Sequence, residues 1–541
     1  MTVTAFPGPD IATLPAALEN AARLGRGELV FHPDGDDHHV ASADLLERAR
    51  TRAHTLASHG VQRGDRVGLF GGNSPQWAEW AYGAWMAGAC LVPIGLPLRI
   101  VDAAGFAQRL AGFAKTARCR VIVHDPALAH VVPHGSGIPW DAAPAPAGAL
   151  PVPGPEDLAV VQFTSGSTSA PKGVMLTHRA ILAEARARTG GLSMTDDDVM
   201  VSWLPFFHDL GLFMFLLYAS AFGLEAHLMP TERFARDPVE WLRLADRVRA
   251  TFTFGPPSGW AALARALQRR PVSLDLSCMT FAGTGAEPLY AHDMDRVQSA
   301  TADCALAPAS FGAGYGLAEA VLGVTTTVRG TGVRFEAVDL DALAQRGEAR
   351  TAADARNAKL VATCGVPWDG VRLRIDGARG ECGVGEVLVH SPSLMNGYDP
   401  QHAADPFVGG WLRTGDLGFL SGGELFITGR LKDMMIVLGH NYYPEDFEWG
   451  AAQVPGVRPG RCVAFARPGA DAKVVVLVEP SPEADTRELR RAVLAAVTRV
   501  VGIRPAEVIV VPRGTIEKTT SGKLRRGAMK EAYARGEIPA L

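Results

Sequence analysis

A run of glycine and short hydroxyl residues follows an apolar stretch near residue 160. From Val160 to His178 it reads VVQFTSGSTSAPKGVMLTH. Glycines and small hydroxyl side chains let successive backbone N–H groups face one concavity, which suits phosphate oxygens, and Lys172 adds a positive charge. A Walker A loop needs Gly-Lys-Ser/Thr before a helix, whereas the order here is Pro-Lys-Gly. The run therefore predicts a phosphate-binding loop that is not a Walker A loop, with a plain surface loop as the alternative.

Other polar clusters in the sequence give weaker signals of chemistry. The sequence DDHHV, from Asp36 to Val40, could bind a metal, but polar residues in a turn are usually solvated. The sequence holds no HExxH motif and no GxSxG motif. Seven cysteines are scattered without a CxxC pair, which favours reduced thiols over a disulfide framework or a zinc site.

The bulk composition limits the class of protein. The chain has 541 residues and a formal net charge of −4, so we expect more than one domain and no nucleic-acid partner. The apolar run from Leu210 to Gly223 is shorter than the roughly 20 residues that span a bilayer, so we interpret it as a buried helix. The first residues, MTVTAFPGPDIATLP, do not resemble a signal peptide. We expect a cytoplasmic protein without stable membrane insertion.

Strand and helix patterns alternate through the first part of the chain. Leu45, Ala49 and Leu56 recur at helical spacing within residues 41–60. The sequence RVGLFGG predicts a buried strand, WAEWAYGAWMAGACLVP a helical stretch, and CRVIVHD a further strand. After a Pro- and Ala-rich connection at 141–157, LAVVQF predicts the strand that leads into the phosphate loop. This alternation predicts an α/β protein with layered parallel sheets.

The last hundred or so residues have a different pattern. Three β-rich runs, GRCVAFARP, DAKVVVLVEP and AEVIVVPRG, enclose a helix with Leu489, Val493, Val497 and Val500 on one face. This predicts a small α+β domain with its own core. We therefore divide the chain into residues 1–430 and residues 431–541.

Seven motifs resemble, in order, those of the adenylate-forming superfamily, which includes acyl-CoA synthetases, nonribosomal adenylation domains, luciferases and fatty acyl-AMP ligases. Besides the loop at Thr164–Gly173 they are SWLPFFHDLGL, GTGAEP, GYGLAEA, WLRTGDLG, TGRLKDMMIVLGHNYYPEDFE and TTSGKLRR. The resemblance implies a large N-terminal domain of layered α/β sheets with a small β-barrel-like part, and a small mobile C-terminal domain. It also implies ATP-dependent activation of a carboxylic acid to acyl-AMP, with release of pyrophosphate.

The same resemblance implies roles for individual residues in binding ATP. The loop holds the β- and γ-phosphates, Tyr315 stacks on adenine, and Asp416 accepts hydrogen bonds from the ribose, although a Gly-Asp pair alone is a common turn. The implied nucleotide-binding residues are Thr164, Ser165, Gly166, Ser167, Thr168, Lys172, Gly283, Gly285, Ala286, Tyr315, Gly316, Leu317, Asp416 and Arg430.

A second set of residues is implied in catalysis and motion. Lys523 bridges the substrate carboxylate and the α-phosphate, and Glu319 binds Mg²⁺, a hard ion that prefers oxygen ligands. His208 and Arg430 complete the implied catalytic group, and Lys432 is the implied hinge. Taken alone, Glu319 and Lys523 would be solvated surface residues, so their roles depend on their motifs.

His208 bears on the class of substrate. Adenylation domains for amino acids place an aspartate after the aromatic of this motif, whereas Phe206-Phe207 is followed here by His208. Asp209 comes next, but one step along a helix rotates it away by about 100°. The apolar helix that follows is either a tunnel wall or plain core. We expect a fatty or aryl acid rather than an amino acid.

The motif variants and a long segment between Glu319 and Gly365 resemble fatty acyl-AMP ligases. In that branch an insertion here restrains the C-terminal domain and disfavours coenzyme A; a tolerated surface loop is the alternative. The branch implies transfer of the acyl group to the phosphopantetheine thiol of an acyl carrier protein, with Gly439 and Tyr442-Tyr443 on the thiol side. An acyl- or aryl-CoA synthetase and an adenylate-binding protein without turnover remain alternatives.

Overall fold

In the computed structural model of the chain, the described residues are 8, 10–164, 172–380, 382–399, 405–437, 440–467, 473–518 and 523–541. Within these ranges the α-helices are α1 Leu14–Arg23, α2 Ser42–Ser58, α3 Pro75–Met86, α4 Ala103–Thr116, α5 His178–Gly191, α6 Leu217–Phe222, α7 Thr231–Arg236, α8 Val239–Arg247, α9 Pro257–Arg269, α10 Ala291–Thr301, α11 Leu340–Arg346, α12 Pro444–Ala452, α13 Thr486–Val501 and α14 Arg526–Ala534.

The described strands are numbered along the chain. They are β1 Glu28–Phe31, β2 His38–Ala41, β3 Arg66–Phe70, β4 Cys90–Ile94, β5 Cys119–His124, β6 Gly137–Pro139, β7 Leu158–Thr164, β8 Lys172–Thr177, β9 Val199–Ser202, β10 Glu225–Leu228, β11 Phe252–Gly255, β12 Phe281–Gly285, β13 Phe311–Gly316, β14 Gly323–Thr326, β15 Phe335–Asp339, β16 Ala358–Ala362, β17 Val366–Pro367, β18 Arg372–Asp376, β19 Gly385–His390, β20 Phe407–Val408, β21 Trp411–Ser421, β22 Glu424–Arg430, β23 Met435–Val437, β24 His440–Tyr442, β25 Val457–Ala466, β26 Val474–Pro480 and β27 Glu507–Val510.

Two large sheets form the first part of the chain. The first has the order β6–β5–β3–β4–β7–β8 and is parallel except for β8. The second has the order β17–β14–β13–β12–β11–β9–β10–β1–β2 and is parallel from β13 to β1. The prediction of an α/β protein with layered parallel sheets is confirmed. One large hydrophobic core joins both sheets and includes the fully buried Trp77, Trp80 and Trp85 of α3.

The helical stretch predicted for residues 77–93 is wrong in its second half. Helix α3 ends at Met86, and Cys90–Ile94 is strand β4. Gly88 has a φ of +70°, a left-handed conformation that ends the helix at little cost for glycine. Residues 77–86 of α3 and all of β4 are buried, so the apolar run shows no periodicity that could separate the two elements.

The apolar run after His208 is a buried helix, as predicted, but its first part has an unusual geometry. Leu210–Leu216 forms a π-helix, which continues into α6, and every residue of the π-helix is buried. The fully buried Arg188 donates a hydrogen bond to the Phe213 carbonyl at 3.0 Å. These residues belong to the main hydrophobic core, and a tunnel wall at this helix stays a prediction. No helix in the described ranges has the length and apolarity needed to cross a bilayer.

A small antiparallel sheet follows the two large ones. It has the order β18–β19–β21–β20, with β22 also paired to β21, and a β-barrel-like form of this part stays a prediction. The segment predicted as an insertion forms the hairpin-like pair β15–β16 with α11 between the strands. This pair packs on the small sheet through an apolar cluster of Val338, Leu343, Val361, Phe419 and Phe426.

The C-terminal residues form an α+β unit with a separate core, as the sequence predicts. Strand β26 lies between β25 and β27, and helices α12 and α13 pack on this sheet. Leu489, Val493 and Val497 of α13 are buried in that core, and Val500 is partly buried. Strand β22 ends at Arg430, immediately before the predicted boundary at 430/431, which stays a prediction.

One arginine fixes the start of α14 to the rest of the C-terminal unit. Arg526 donates two hydrogen bonds of 2.7 Å to the Glu448 carboxylate and pairs with Glu445 at 2.9 Å and Asp433 at 3.2 Å. The neighbouring acids raise the pKa of Arg526 against the opposing effect of burial. Arg526 follows Lys523 by three residues, so this cluster fixes a point of the chain close to Lys523.

We expect Arg526→Met to lower the free energy of unfolding by about 3–5 kcal/mol, because three carboxylates with little solvent exposure lose their cation. Arg525→Met is the matched control, since the Arg525–Glu517 pair is exposed and its loss costs less than about 1 kcal/mol. Urea unfolding of both variants measures the difference. Equal effects of the two substitutions would contradict the structural role of Arg526.

Candidate active site

The ends of two neighbouring parallel strands form a narrow backbone wall. Gly285 of β12 lies opposite Gly314 of β13, and a Cβ on Gly285 would lie 2.6 Å from the Gly314 carbonyl oxygen. A Cβ on Gly316 would lie 1.8 Å from the Leu322 carbonyl oxygen. Ala286 follows β12 with a φ of +68°, so the chain turns away at this point. Only glycine permits this approach, which suits a flat group that lies against backbone.

Tyr315, Asp416 and Arg430 come together at the end of this wall. The Tyr315 hydroxyl donates to Asp416 Oδ2 at 2.7 Å, and Arg430 Nε lies 3.1 Å from Asp416 Oδ1. Burial and then the Asp416 carboxylate raise the pKa of Tyr315 well above its ordinary value. The structure therefore joins three residues that the sequence assigned from three separate motifs, although their roles stay predictions.

Glu319 lies in a short 3-10 turn, Ala318–Ala320, and has a partner that the sequence analysis missed. The Tyr398 hydroxyl donates to Glu319 Oε1 at 2.7 Å. The ammonium of Lys172 lies 4.7 Å from the centre of the same tyrosine ring. Tyr398 thus contacts both the predicted metal ligand and the predicted phosphate-binding lysine. Only the short sequence NGYDP marks it, and that sequence predicts no more than a turn.

Asp209 lies beside His208 rather than away from it, so our expectation that it rotates away is wrong. Asp209 Oδ1 is 2.5 Å from His208 Nδ1, because residues 206–208 form a turn and helical geometry begins only at Asp209. Burial acts to raise the pKa of Asp209, but the charge and hydrogen bond of His208 and the charge of Lys523 outweigh it and lower the pKa. Lys523, His208 and Asp209 therefore form one electrostatic group.

The backbone before His208 is held by two amide side chains. Gln162 of β7 donates to the Phe207 carbonyl at 3.1 Å. Asn73 donates to the Leu204 carbonyl at 2.9 Å and accepts from the Phe206 amide at 2.9 Å. The segment that carries His208 is thus tied to the first sheet through β7 and the turn after β3. Neither amide was singled out from the sequence.

Several cations meet near the junction at residue 430. Desolvation and then the charge of Arg430 lower the pKa of Lys432, and Lys172 adds to this effect. Like charges raise the electrostatic energy of a site unless anions compensate them, and such crowding is typical of sites that bind anions. The predicted loop residues Ser165, Gly166, Ser167 and Thr168 lie outside the described residues, as does Gly439. Thr164 ends β7, and Leu317 packs partly buried on the core.

The insertion contacts the C-terminal unit directly. Lys359 of β16 pairs with Asp446 of α12 at 2.7 Å and lies 4.7 Å from the centre of the Tyr443 ring. Tyr443 is buried and accepts a hydrogen bond from Thr428, and its expected place on the thiol side after a domain rotation stays a prediction. We call the contacts of Lys359 with Asp446 and Tyr443 the insertion latch.

A second contact lies on the other side of the C-terminal unit. Trp449 Nε1 donates to His292 Nδ1 at 3.0 Å, and the Tyr290 hydroxyl donates to the Glu445 carbonyl at 3.1 Å. The rings of Tyr290 and Trp449 stack with centroids 5.9 Å apart. Both contacts follow the GTGAEP motif, so they hold α12 close to the backbone wall.

The polar sequence DDHHV has local partners within the described residues. Asp37 lies 2.7 Å from His32, and His39 lies 2.9 Å from Glu28. No group of three or more potential ligands suited to a metal ion occurs in the described ranges.

Comparisons with known proteins cover most of the chain. Residues 18–399 match the family model described as AMP-binding enzyme. The chain is 37% identical over 531 residues to a putative ligase, Rv1013, of Mycobacterium tuberculosis, covering 94% of this chain and 97% of that protein. It is 33% identical to the medium-chain-fatty-acid–[acyl-carrier-protein] ligase JamA of Moorena producens, and the match covers 71% of this chain and 69% of that protein. The fold is similar to that of a solved chain from structural and functional studies of fatty acyl-adenylate ligases from E. coli and L. pneumophila. The two chains are 31% identical, the match covers 97% of this chain and 98% of that chain, and the TM-score is 0.89.

The group formed by Asp209 and Lys523 can be tested by titration. We expect the pKa of the Asp209 carboxyl in the intact protein to lie below the ordinary range of aspartate. We expect Lys523→Gln to raise this pKa, because a nearby positive charge is lost. Lys530→Gln, which removes a lysine of α14, is the control and leaves the Asp209 pKa unchanged. Carbon-13 NMR of aspartate-labelled protein, assigned with Asp209→Asn, measures it. An unchanged pKa in Lys523→Gln would contradict the proximity.

Proposed function

The chain belongs to the family of AMP-binding enzymes, and from this membership we propose that it joins a carboxylic acid to the α-phosphate of ATP and releases pyrophosphate. It is thereby an adenylate-forming ligase, with fatty acyl-adenylate ligases among its structural neighbours. The observation that carries the proposal is the meeting of Tyr315, Asp416 and Arg430 at the end of the glycine wall, where the charges of Arg430 and Lys172 also act on Lys432. Such a site has the charge for a triphosphate and the shape for a nucleoside.

The chemistry explains why the site needs cations more than a nucleophile. A carboxylate oxygen of the substrate attacks the α-phosphorus, a new oxygen–phosphorus bond forms, and the bond to the pyrophosphate oxygen breaks. Two anions must approach each other, and charge grows on the phosphate oxygens during the step. We assign Lys523 to the substrate carboxylate and the α-phosphate, and Lys172 with the loop at 164–168 to the β- and γ-phosphates. His208, with Nδ1 beside Asp209, orients the substrate carboxylate.

The nucleoside and the metal have fitting residues. We assign adenine to Tyr315 and the wall formed by Gly283, Gly285, Ala286, Gly316 and Leu317, and the ribose to Asp416 and Arg430. Mg²⁺, when bound, neutralises charge on the phosphate oxygens. Glu319 fits this ion because Mg²⁺ in such sites uses one or two carboxylates beside phosphates and water, and a larger ligand group is not needed.

The acid in this proposal is a hydrophobic one. Asp209, the residue that could otherwise pair with an ammonium group, is engaged by His208 and lies in the field of Lys523. The π-helix Leu210–Leu216, which consists of buried apolar residues and one glycine, begins directly after it. These features support a fatty or other hydrophobic acid over an amino acid.

The acyl acceptor in this proposal is the phosphopantetheine thiol of an acyl carrier protein. The insertion latch supports it, because α12 cannot leave its position without breaking the Lys359–Asp446 pair. The relative JamA is by name an acyl-carrier-protein ligase. We propose that the unit of residues 431–541 turns about Lys432 after acyl-AMP has formed, as lids and small domains do in many enzymes.

Replacement of Lys523 tests the first step. We expect Lys523→Gln to reduce acid-dependent ATP–pyrophosphate exchange by about 10²–10³-fold, because a charge aimed at the developing transition state is lost. Lys530→Gln on α14 is the control and keeps wild-type exchange. Exchange at the wild-type rate in Lys523→Gln would overturn the proposed step.

The acceptor is tested with the same acid and either holo-carrier protein or coenzyme A. We expect efficient acylation of the carrier protein and poor formation of acyl-CoA by the wild type. Lys359→Ala, which removes the insertion latch, raises the rate with coenzyme A several-fold because the C-terminal unit is less restrained. Arg356→Ala, in the same insertion but with an exposed partner, is the control. Efficient acyl-CoA formation by the wild type would assign it instead to the acyl-CoA synthetases.

A further inference from the structure

We infer that Tyr398 is a positioning residue that holds both the Glu319 carboxylate and the Lys172 ammonium in place. Asp399, the next residue, attaches Tyr398 to the first sheet. The inference rests on the proposed function, because Glu319 and Lys172 have there the roles of metal ligand and phosphate ligand. It adds a residue that none of the sequence motifs marks.

The two contacts of Tyr398 use different parts of one side chain. Its hydroxyl donates to Glu319 Oε1 at 2.7 Å, and its ring faces the Lys172 ammonium at 4.7 Å. A carboxylate has about four acceptor positions, so one hydroxyl donor orients Glu319 and leaves acceptor positions for a cation. A ring face attracts an ammonium electrostatically, so the Tyr398 ring favours the observed position of the Lys172 side chain.

The backbone around Tyr398 is paired to the strand that carries Lys172. Val174 forms an antiparallel bridge with Tyr398, and the Asn396 amide donates to the Met175 carbonyl at 2.8 Å. The Asp399 amide donates to the Gly173 carbonyl at 2.7 Å. The tyrosine therefore has a fixed register relative to β8. The Met395 amide donates to the Glu319 carbonyl at 2.8 Å, which ties the same segment to the turn at Glu319.

Asp399 provides the second attachment. Its side chain is only 1% exposed and its Oδ2 lies 2.5 Å from Arg66 and 2.8 Å from Arg118. Arg66 begins β3, and Arg118 precedes β5 with a φ of +56°, an uncommon conformation for a non-glycine residue. Two cations from the first sheet thus hold the residue next to Tyr398. The anchor lies on the same sheet that ends in the predicted phosphate loop.

The two contacts predict separable effects. The hydroxyl acts through Glu319, so its loss affects the part of ATP binding that depends on Mg²⁺. The ring acts through Lys172, so its loss affects binding with or without the metal. Removal of a residue that orients a metal ligand typically weakens metal binding by about tenfold or more.

The test measures ATP binding by calorimetry without any acid, once with Mg²⁺ and once with EDTA. In Tyr398→Phe we expect affinity in EDTA within about twofold of the wild type, and a gain from Mg²⁺ that is about tenfold smaller. In Tyr398→Leu we expect the same smaller gain and, in addition, a loss of about threefold or more in EDTA. Tyr533→Phe is the matched control, because the Tyr533 hydroxyl donates to Glu507 at the same 2.7 Å distance.

A double-substitution cycle distinguishes positioning from general destabilisation. If Tyr398 acts through Glu319, Tyr398→Phe has no further effect on the Mg²⁺-dependent gain in a Glu319→Gln background. Three outcomes would each overturn the inference. Tyr398→Phe could lose ATP affinity equally with and without Mg²⁺, or bind ATP like the wild type in both conditions. The effects of Tyr398→Phe and Glu319→Gln on the Mg²⁺-dependent gain could also be additive. Failure of the wild type to catalyse pyrophosphate exchange with any acid would instead reject the proposed function, and the binding measurements would still stand.

Discussion

The site depends on positive charges that are held close together by carboxylates from separate elements. Arg430 is paired with Asp416 across strands β21 and β22, and Lys523 of the C-terminal unit lies in the field of Asp209. The Lys172 ammonium lies over the Tyr398 ring, 4.7 Å from its centre. A polyanion is the ligand that such a group stabilises, and the elements of both units are arranged around that requirement.

Rigid elements maintain this arrangement. Glycines allow β12 and β13 to approach each other, amide side chains fix the segment before His208, and Asp399 is locked between two arginines. In the C-terminal unit Arg526 does the same for the start of α14, three residues after Lys523. Each of these contacts joins residues far apart in the chain. Positioning therefore comes from long-range packing, while the reactive groups themselves lie in short motifs.

That division explains what the sequence could predict. The layered sheets, the C-terminal α+β unit and the buried helix after His208 were predictable, because each is encoded in a local run of residues, whereas the roles of the motif residues stay predictions. Tyr398 and Asp399 were not, because a turn-like sequence gives no sign that Asp399 meets Arg66, which lies 333 positions earlier. The boundary between α3 and β4 was missed because residues 77–86 of α3 and all of β4 are buried. Asp209 was misplaced because an ideal helical rotation was assumed for residues that form a turn.

The insertion latch has a thermodynamic consequence. Tyr443 and the insertion residues Val338, Leu343 and Val361 belong to one apolar cluster, so a rotation of the C-terminal unit about Lys432 removes Tyr443 from that cluster and hydrates the surfaces it leaves. Exposure of apolar surface to water carries a positive heat-capacity change. If such a rotation limits the rate of a half-reaction, the Arrhenius plot of that half-reaction is curved. A rotation that exposes no apolar surface to water gives a straight Arrhenius plot.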